Sequence, residues 1–329
     1  MAKDPGKILV TGATGFIGYE VAKQLSQKGY KPRLMVRRPL RGFLLKSLDA
    51  ELMQGDLGQP KSLKRMLESV DMVIHLGARA TFEPYKALRP SIVEGSINLM
   101  RAAIEAGAKT FVYGGSLLVY GEQAKPISQQ TAAAPTIGYS RAKLEAESIL
   151  LKMAADAGIR FTSIRLPHTY GVNSLLFNQM QRGTIVFPGK GNNLFAHLHV
   201  ADAARALIKA AENGTSGISV IADNASCTWN DLFVVTQHYY PRLRVIRVPK
   251  WGALAGTGTL DVLYRFTPYW NRFSVGAVKS WTSNLPVEPN TFKDIVGIEP
   301  MYPTIEQGIP AALDDCISYY WCHSLEDNH

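Results

Sequence analysis

Cysteine is scarce in this chain. Cys227, Cys316 and Cys322 are the three present, and no pair stands at CxxC spacing. So sparse and odd a set points to a reducing compartment and buried thiols rather than a disulfide frame, and no metal site is expected. Long apolar runs are also missing. Nowhere do about 18 unbroken apolar residues occur, so no membrane-spanning helix is expected. The opening stretch "MAKDPGKILV" holds no long apolar segment, so no secretory signal is expected and a cytoplasmic protein is the reading. Repeats and low-complexity tracts are absent. The net charge is +9, yet the basic residues are scattered, and the densest cluster (Arg37, Arg38, Arg41) is short. A nucleic-acid partner is therefore not expected, and an anionic small ligand accounts for the charge.

What is present suits a large core. Of 329 residues, 46% are hydrophobic, enough for one big α/β domain with a smaller lobe. Apolar β-rich runs at Ile8–Val10, Arg33–Val36, Glu51–Met53, Met72–Leu76, Thr110–Tyr113 and Phe161–Ile164 read as strands. Helical patterns lie between them at Gly18–Lys28, Ser62–Ser69, Ser91–Ala106 and Tyr139–Ala157. The strand runs are continuous rather than alternating, as in parallel strands covered on both faces. The expected fold is α/β, a doubly wound parallel (Rossmann) sheet with a smaller C-terminal substrate-binding lobe. Periodicity weakens after Leu166. A further helix, Asp202–Glu212, and a short strand, Ile218–Ala222, precede a region richer in proline and aromatics ("TPYWNRF", "LPVEPN", "IEPMYP"). Residues 1–165 and 196–223 are thus expected to form the dinucleotide-binding domain, and 166–195 and 224–329 the substrate-binding lobe.

Directly after the first strand stands "TGATGFIG", Thr11 to Gly18. A strand, a glycine-rich turn and a helix start form an anion cradle, because the backbone can approach a pyrophosphate at the positive end of the helix. Gly12, Thr14, Gly15, Phe16, Ile17 and Gly18 are the candidate phosphate-binding residues. Arg37 follows Gly18 by 19 positions, with Arg38 beside it and no competing carboxylate. Arginine there suits a ribose 2′-phosphate, so NADP(H) is expected, with NAD(H) as the alternative. Asp56 and Leu57 of "GDL" are placed near the adenine, and Leu76, Gly77 and Ala78 of "HLGA" beside the cofactor.

"YSRAK" sets Tyr139 and Lys143 four residues apart, on one face of a helix. A cation beside a phenol lowers its pKa and makes proton exchange with a hydroxyl or ketone feasible. Ser116 ends a strand 23 residues earlier and is placed to hold the substrate oxygen.

Together "TGATGFIG", "GDL", "SLLVYG", "YSRAK", "IRLPHTYG" and "HLHVAD" resemble the extended short-chain dehydrogenase/reductases, the NAD(P)-dependent epimerase/dehydratase group. The resemblance implies Ser116, Tyr139 and Lys143 as the catalytic trio, and Leu166 to Thr169 (with Leu166 and His168 as contacts) bordering the nicotinamide. It also implies a homodimer through the helices Ser91–Ala106 and Tyr139–Ala157. Departures narrow the branch. Leu117 and Leu118 stand where sugar-nucleotide dehydratases carry Asp-Glu, and Phe195 where the epimerases carry a diphosphate-binding Arg. Ile92 replaces an Asn common in the proton relay, leaving Ser91 or water to serve. "GKGNNLFAHLHVAD" and "PMYPTIEQGI" resemble the 3β-hydroxysteroid dehydrogenase-like branch, and "LMVRRP" the dihydroflavonol reductases. In the steroid branch the segment matching residues 249–266 often touches membranes; here, glycine-rich with Asp261 inside, it is expected to pack in the small lobe.

The expected function is hydride transfer between NADP(H) and a hydroxyl or ketone carbon of a hydrophobic small molecule. Tyr139 exchanges the proton, Ser116 positions the oxygen and Lys143 tunes Tyr139. Leu118, His168 and Phe195 are the candidate substrate contacts, while His197 is read as a structural group. Two alternatives stay open: a nucleotide-sugar epimerase or isomerase that retains its cofactor, and a non-catalytic dinucleotide sensor.

Overall fold

The computed structural model describes residues 7–180, 182–213, 216–264 and 274–318. Cys322 and the run "TPYWNRF" lie outside them, as do the last two positions of 249–266.

In chain order the first half reads β1 (Ile8–Thr11), α1 (Phe16–Gln27), β2 (Arg33–Val36), β3 (Glu51–Gln54), α2 (Pro60–Met66), β4 (Met72–His75) and α3 (Tyr85–Arg89). A π-helical turn, Pro90–Glu94, leads into α4 (Gly95–Glu105), followed by β5 (Thr110–Ser116), α5 (Gly138–Ala157) and β6 (Arg160–Leu166). Short elements come next: β7 (His168–Tyr170), α6 (Leu175–Met180), β8 (Thr184–Pro188), β9 (Leu194–Phe195) and β10 (His197–His199). The chain goes on through α7 (Val200–Asn213), β11 (Gly217–Val220), β12 (Cys227–Thr228), α8 (Trp229–Tyr239) and β13 (Arg244–Val248). It closes with α9 (Lys250–Tyr264), α10 (Val275–Thr282), α11 (Thr291–Val296) and α12 (Ile305–Ser318).

Seven strands form one parallel sheet in the order β11-β6-β5-β4-β1-β2-β3. Helices cover both faces, which is why β1, β2 and β5 are buried at every residue and read as unbroken apolar runs. One face packs Val21, Ala22 and Leu25 of α1 with Ala203, Leu207 and Ile208 of α7. The other packs Leu63 and Met66 of α2, Leu99 of α4 and Leu150 of α5. Each of the Val, Leu, Ile and Met side chains among them contributes about 1.5–3 kcal/mol by leaving water. The strand order reverses between β1 and β4, and there the carboxyl ends open a crevice.

A separate apolar cluster joins Phe177, Phe187, Phe195, Trp229, Phe233, Leu285 and Ile309 beyond those strand ends. Asp202, in the first turn of α7 and fully buried, accepts from the backbone N–H of Met301 at 2.7 Å and Tyr302 at 2.9 Å, and pairs with Arg205 at 2.8 Å. That carboxylate fastens the late segment to the sheet's own helix. The expected packing of α9 holds on one side only, where it meets α10; its other side is exposed.

Candidate active site

The glycine turn is built backbone on backbone. Gly12 has φ +76, and a Cβ there would meet the Leu76 carbonyl carbon at 2.7 Å. In the first turn of α1, a Cβ on Gly18 would stand 2.1 Å from the Gly12 oxygen. No side chain fits at either place, so the helix start lies directly on the turn. Its first N–H groups have no partner within the helix and carry the positive end of the dipole.

This turn borders a cavity of about 1060 Å³ that runs along the crevice. Gly12, Thr14, Gly15, Phe16, Ile17 and Gly18 line one end, and Arg37 and Arg38 follow at the tip of β2. Asp56 and Leu57 come after β3, and Leu76, Gly77 and Ala78 after β4. Ser116, Leu118, Tyr139 and Lys143 form the middle, and Leu166, His168 and Phe195 the far side. Every residue the sequence offers for cofactor, chemistry or substrate thus borders one space. Asp56 also accepts from Gly58 N–H at 2.8 Å, closing its own turn.

Ser116 is the last residue of β5 and buried, and its Oγ accepts from Leu118 N–H at 3.3 Å. The hydroxyl proton is left to donate. Tyr139 and Lys143 project from the start of α5. Burial pushes the Tyr139 phenol up to about 12, against the Ser116 hydroxyl, which favours the phenolate. Lys143 donates to Gly114 O at 2.7 Å and lies over the Tyr113 ring at 4.5 Å. Its own pKa falls to about 8, because burial outweighs the attraction of Glu147. The expectation that Lys143 draws the phenol toward ionisation is therefore not met here. Desolvation dominates both groups, and the phenol is protonated at neutral pH.

Two buried polar networks brace the trio. Glu147, one helical turn past Lys143, accepts from Ser163 at 2.5 Å and from Arg165 at 2.5 and 3.2 Å. Arg165 also lies over the Tyr120 ring at 4.8 Å. On the other side, His75 bonds Thr11 at 2.6 Å and Ser96 at 2.8 Å. Burial pushes His75 down to about 3, so it is neutral. Ser96 donates to Ile92 O, which makes His75 Nε2 the donor and Nδ1 the acceptor. Ile92 is itself buried among apolar groups, whereas Ser91 borders the cavity and accepts from Arg79 N–H at 3.1 Å.

The far wall is aromatic. Trp229 and Trp281 stack with centroids 5.5 Å apart and planes 7° from parallel, and both border the cavity. His168 sits 4.8 Å from the Trp229 ring, and its Nδ1 is 2.9 Å from Nδ1 of His197. Burial drives both imidazoles below their ordinary range, so one neutral ring donates to the other. His197 is fully buried, while His168 borders the cavity. Among the described residues, the basic groups lining the cavity are Arg37, Arg38, Arg79 and Lys143, and Arg79 pairs with Glu83 at 2.6 Å. None stands by the tryptophans.

Sequence reading missed Trp229, Trp281 and Phe82, whose ring meets Tyr139 edge-on at 6.2 Å. Thr228 and Asp231 form a reciprocal cap at the start of α8, a signal that would have placed Trp229 at a helix start. Nothing comparable marks Trp281.

Comparison with known proteins gives the family. The pattern of the NAD dependent epimerase/dehydratase family matches residues 8–222. The chain is 26% identical over 289 residues to ceramide reductase of Caulobacter vibrioides, covering 85% of each. It is 24% identical over 293 residues to vestitone reductase of Medicago sativa, covering 80% of this chain and 90% of that one. Among solved structures, UDP-glucose 4-epimerase of Thermotoga maritima superposes with TM-score 0.77 at 21% identity, covering 95% of this chain and 99% of that one.

Proposed function

Because the chain belongs to the NAD dependent epimerase/dehydratase family, we propose that it is an NADP(H)-dependent reductase or dehydrogenase acting on a hydroxyl or ketone of a hydrophobic small molecule. The observation that carries this reading is the continuity of the cavity. It runs from the glycine turn past Ser116, Tyr139 and Lys143 to the uncharged wall of Phe195, Trp229 and Trp281.

A dinucleotide fits on the chain's own terms, since the contact of Gly18 with the Gly12 oxygen leaves backbone, not side chain, facing the α1 terminus. The turn from Gly12 to Gly18 would hold the pyrophosphate, and Arg37 with Arg38 the ribose 2′-phosphate. Asp56 and Leu57 would border the adenine, Leu76 to Ala78 the middle, and Leu166 and His168 the nicotinamide. When bound, that group supplies or accepts the hydride at the carbon being reduced or oxidised.

The chain's residues handle the oxygen. Ser116, whose hydroxyl meets the Tyr139 phenol, turns its proton to the substrate oxygen and opposes charge build-up there. Tyr139, protonated at neutral pH, gives its proton to the same oxygen in the reducing direction and takes it back in the other. Lys143 holds the strand end and borders the ribose position. The described residues of 1–165 and 196–223 serve the dinucleotide, and those of 166–195 and 224–318 the substrate.

The similarity to ceramide and vestitone reductases supports reduction of an apolar molecule. A nucleotide-sugar epimerase reading finds support in relatives such as UDP-glucose 4-epimerase of Vibrio cholerae, 30% identical over 178 residues. Among the described residues lining the cavity, Phe195 rather than Lys or Arg stands where that reading needs a cation for the diphosphate.

Following nicotinamide absorbance with NADPH and a panel of hydrophobic ketones tests the assignment. Net cofactor oxidation is expected, with Tyr139→Phe lowering turnover about 10²–10⁴-fold while dinucleotide affinity stays nearly unchanged. Retained NAD with no net turnover would favour the epimerase instead, and persistent turnover in the variant would remove Tyr139 from the chemistry.

A further inference from the structure

Between β4 and α3 the chain runs along the cavity, and Arg79, Ala80, Thr81 and Phe82 all border it. Neither strand nor helix holds this stretch, so its own side chains do. Glu83 is buried, and its carboxylate accepts from Arg79 Nε at 2.6 Å, Arg79 Nη2 at 2.8 Å and the Thr81 hydroxyl at 2.6 Å. An arginine held to a carboxylate by two bonds is fixed in direction as well as distance. The loop is thereby closed on itself around Phe82.

Phe82 is also gripped from outside. Its carbonyl accepts from the Ser274 hydroxyl at 3.0 Å, just before α10, and a Cβ on Gly276 would come within 2.9 Å of the same oxygen. At Gly138, next to Tyr139, a Cβ would meet Tyr85 N at 2.5 Å and Glu83 O at 2.7 Å. Backbone thus lies directly on backbone where the loop meets α10 and again where it meets the start of α5. Between these contacts the Phe82 ring stands edge-on to the Tyr139 ring, with centroids 6.2 Å and planes 71° apart. Two aromatic rings favour that arrangement beyond the area it covers.

The phenol has to meet the substrate oxygen at a fixed angle, and burial keeps it protonated. Ser116 and Tyr113 approach it from β5, and Lys143 follows one turn on along α5. On the loop, Arg79 and Glu83 answer each other's charge, so Phe82 brings apolar cover alone.

We propose that Phe82 is a positioning residue for the chemistry at Tyr139: its ring fixes the phenol's orientation and keeps water from it. Residues 79–83 and the start of α10 are its mount. That mount reaches the substrate side, since α10 also carries Ser280 and Trp281 into the cavity wall. The inference rests on the role proposed for Tyr139.

The test is nuclear magnetic resonance of the full chain with tyrosine carbon-labelled at Cζ, whose shift follows ionisation of the phenol. Tyr139→Phe identifies the resonance. In the wild type it is expected to stay constant up to about pH 11, whereas in Phe82→Ala it titrates at a pH lower by roughly one or more. Phe82→Leu keeps an apolar cover and stays close to wild type. With a ketone that the wild type reduces, Phe82→Ala lowers kcat about tenfold or more while KM changes little. Thermal unfolding reports the fold of each variant separately. If Phe82→Ala does not fold, Ser274→Ala loosens the same ring by removing the bond to its carbonyl, and the resonance is expected to move the same way. A resonance that titrates alike in wild type and folded variant, or a Leu variant as impaired as the Ala variant, overturns the proposal. Failure of the wild type to reduce any ketone counts against the proposed function instead, and the resonance still decides the placing of the phenol.

Discussion

Lys143 donates from Nζ to the carbonyl oxygen of Gly114 at 2.7 Å, two residues before Ser116 on β5. The lysine thereby ties α5, which carries the phenol, to the strand that carries the hydroxyl. It is 4% exposed, and this burial holds its pKa near 8.

Stability should follow that shift with a definite sign. A lysine near pKa 8 when folded and 10.5 when unfolded binds fewer protons in the native state across that window. Stability therefore rises with pH between about 8 and 10.5, and the cost of burying the cation is fully present below it. The gain is roughly 3 kcal/mol. Urea unfolding of wild type and Lys143→Met across this range checks it; parallel profiles would show that the cation is not desolvated.

Gly18→Ala places a methyl group 2.1 Å from the Gly12 oxygen, so turn and helix must part. Dinucleotide binding should fall at least tenfold, with some loss of stability; titration calorimetry and thermal unfolding read the two separately.

Arg37→Asp replaces the cation expected at the 2′-phosphate with a like charge. NADPH affinity should fall at least tenfold and NADH affinity little. Equal losses would withdraw the preference for NADP(H).

Arg165→Met leaves Glu147 buried with the Ser163 hydroxyl at 2.5 Å and the charge of Lys143 but without its ion-pair hydrogen bonds. An uncompensated buried carboxylate costs about 3–5 kcal/mol, whereas replacing both partners with apolar residues costs less. Denaturant midpoints of Arg165→Met and of Arg165→Met with Glu147→Leu decide this, the double variant being the more stable of the two.

Much of this was legible in the sequence because it rests on short-range rules. The seven sheet strands announce themselves as apolar runs, and the glycine turn as a strand-to-helix junction. Tyr139 and Lys143 share a face because helical spacing demands it. The substrate wall was not legible, because Trp229 and Trp281 lie 52 positions apart and meet only through tertiary packing. The protonated state of Tyr139 was hidden for a related reason. Spacing shows which charges are near, while desolvation depends on everything that surrounds the group.

Asp202 receives the N–H groups of residues that follow it by 99 and 100 positions. On the ribosome, all seven strands of the sheet emerge well before Met301 and Tyr302 do. Until then a carboxylate destined for the interior has only Arg205 to answer it. A chain cut before Met301 is accordingly expected to be less stable than the full chain, because α7 then carries a buried carboxylate that has lost both backbone donors.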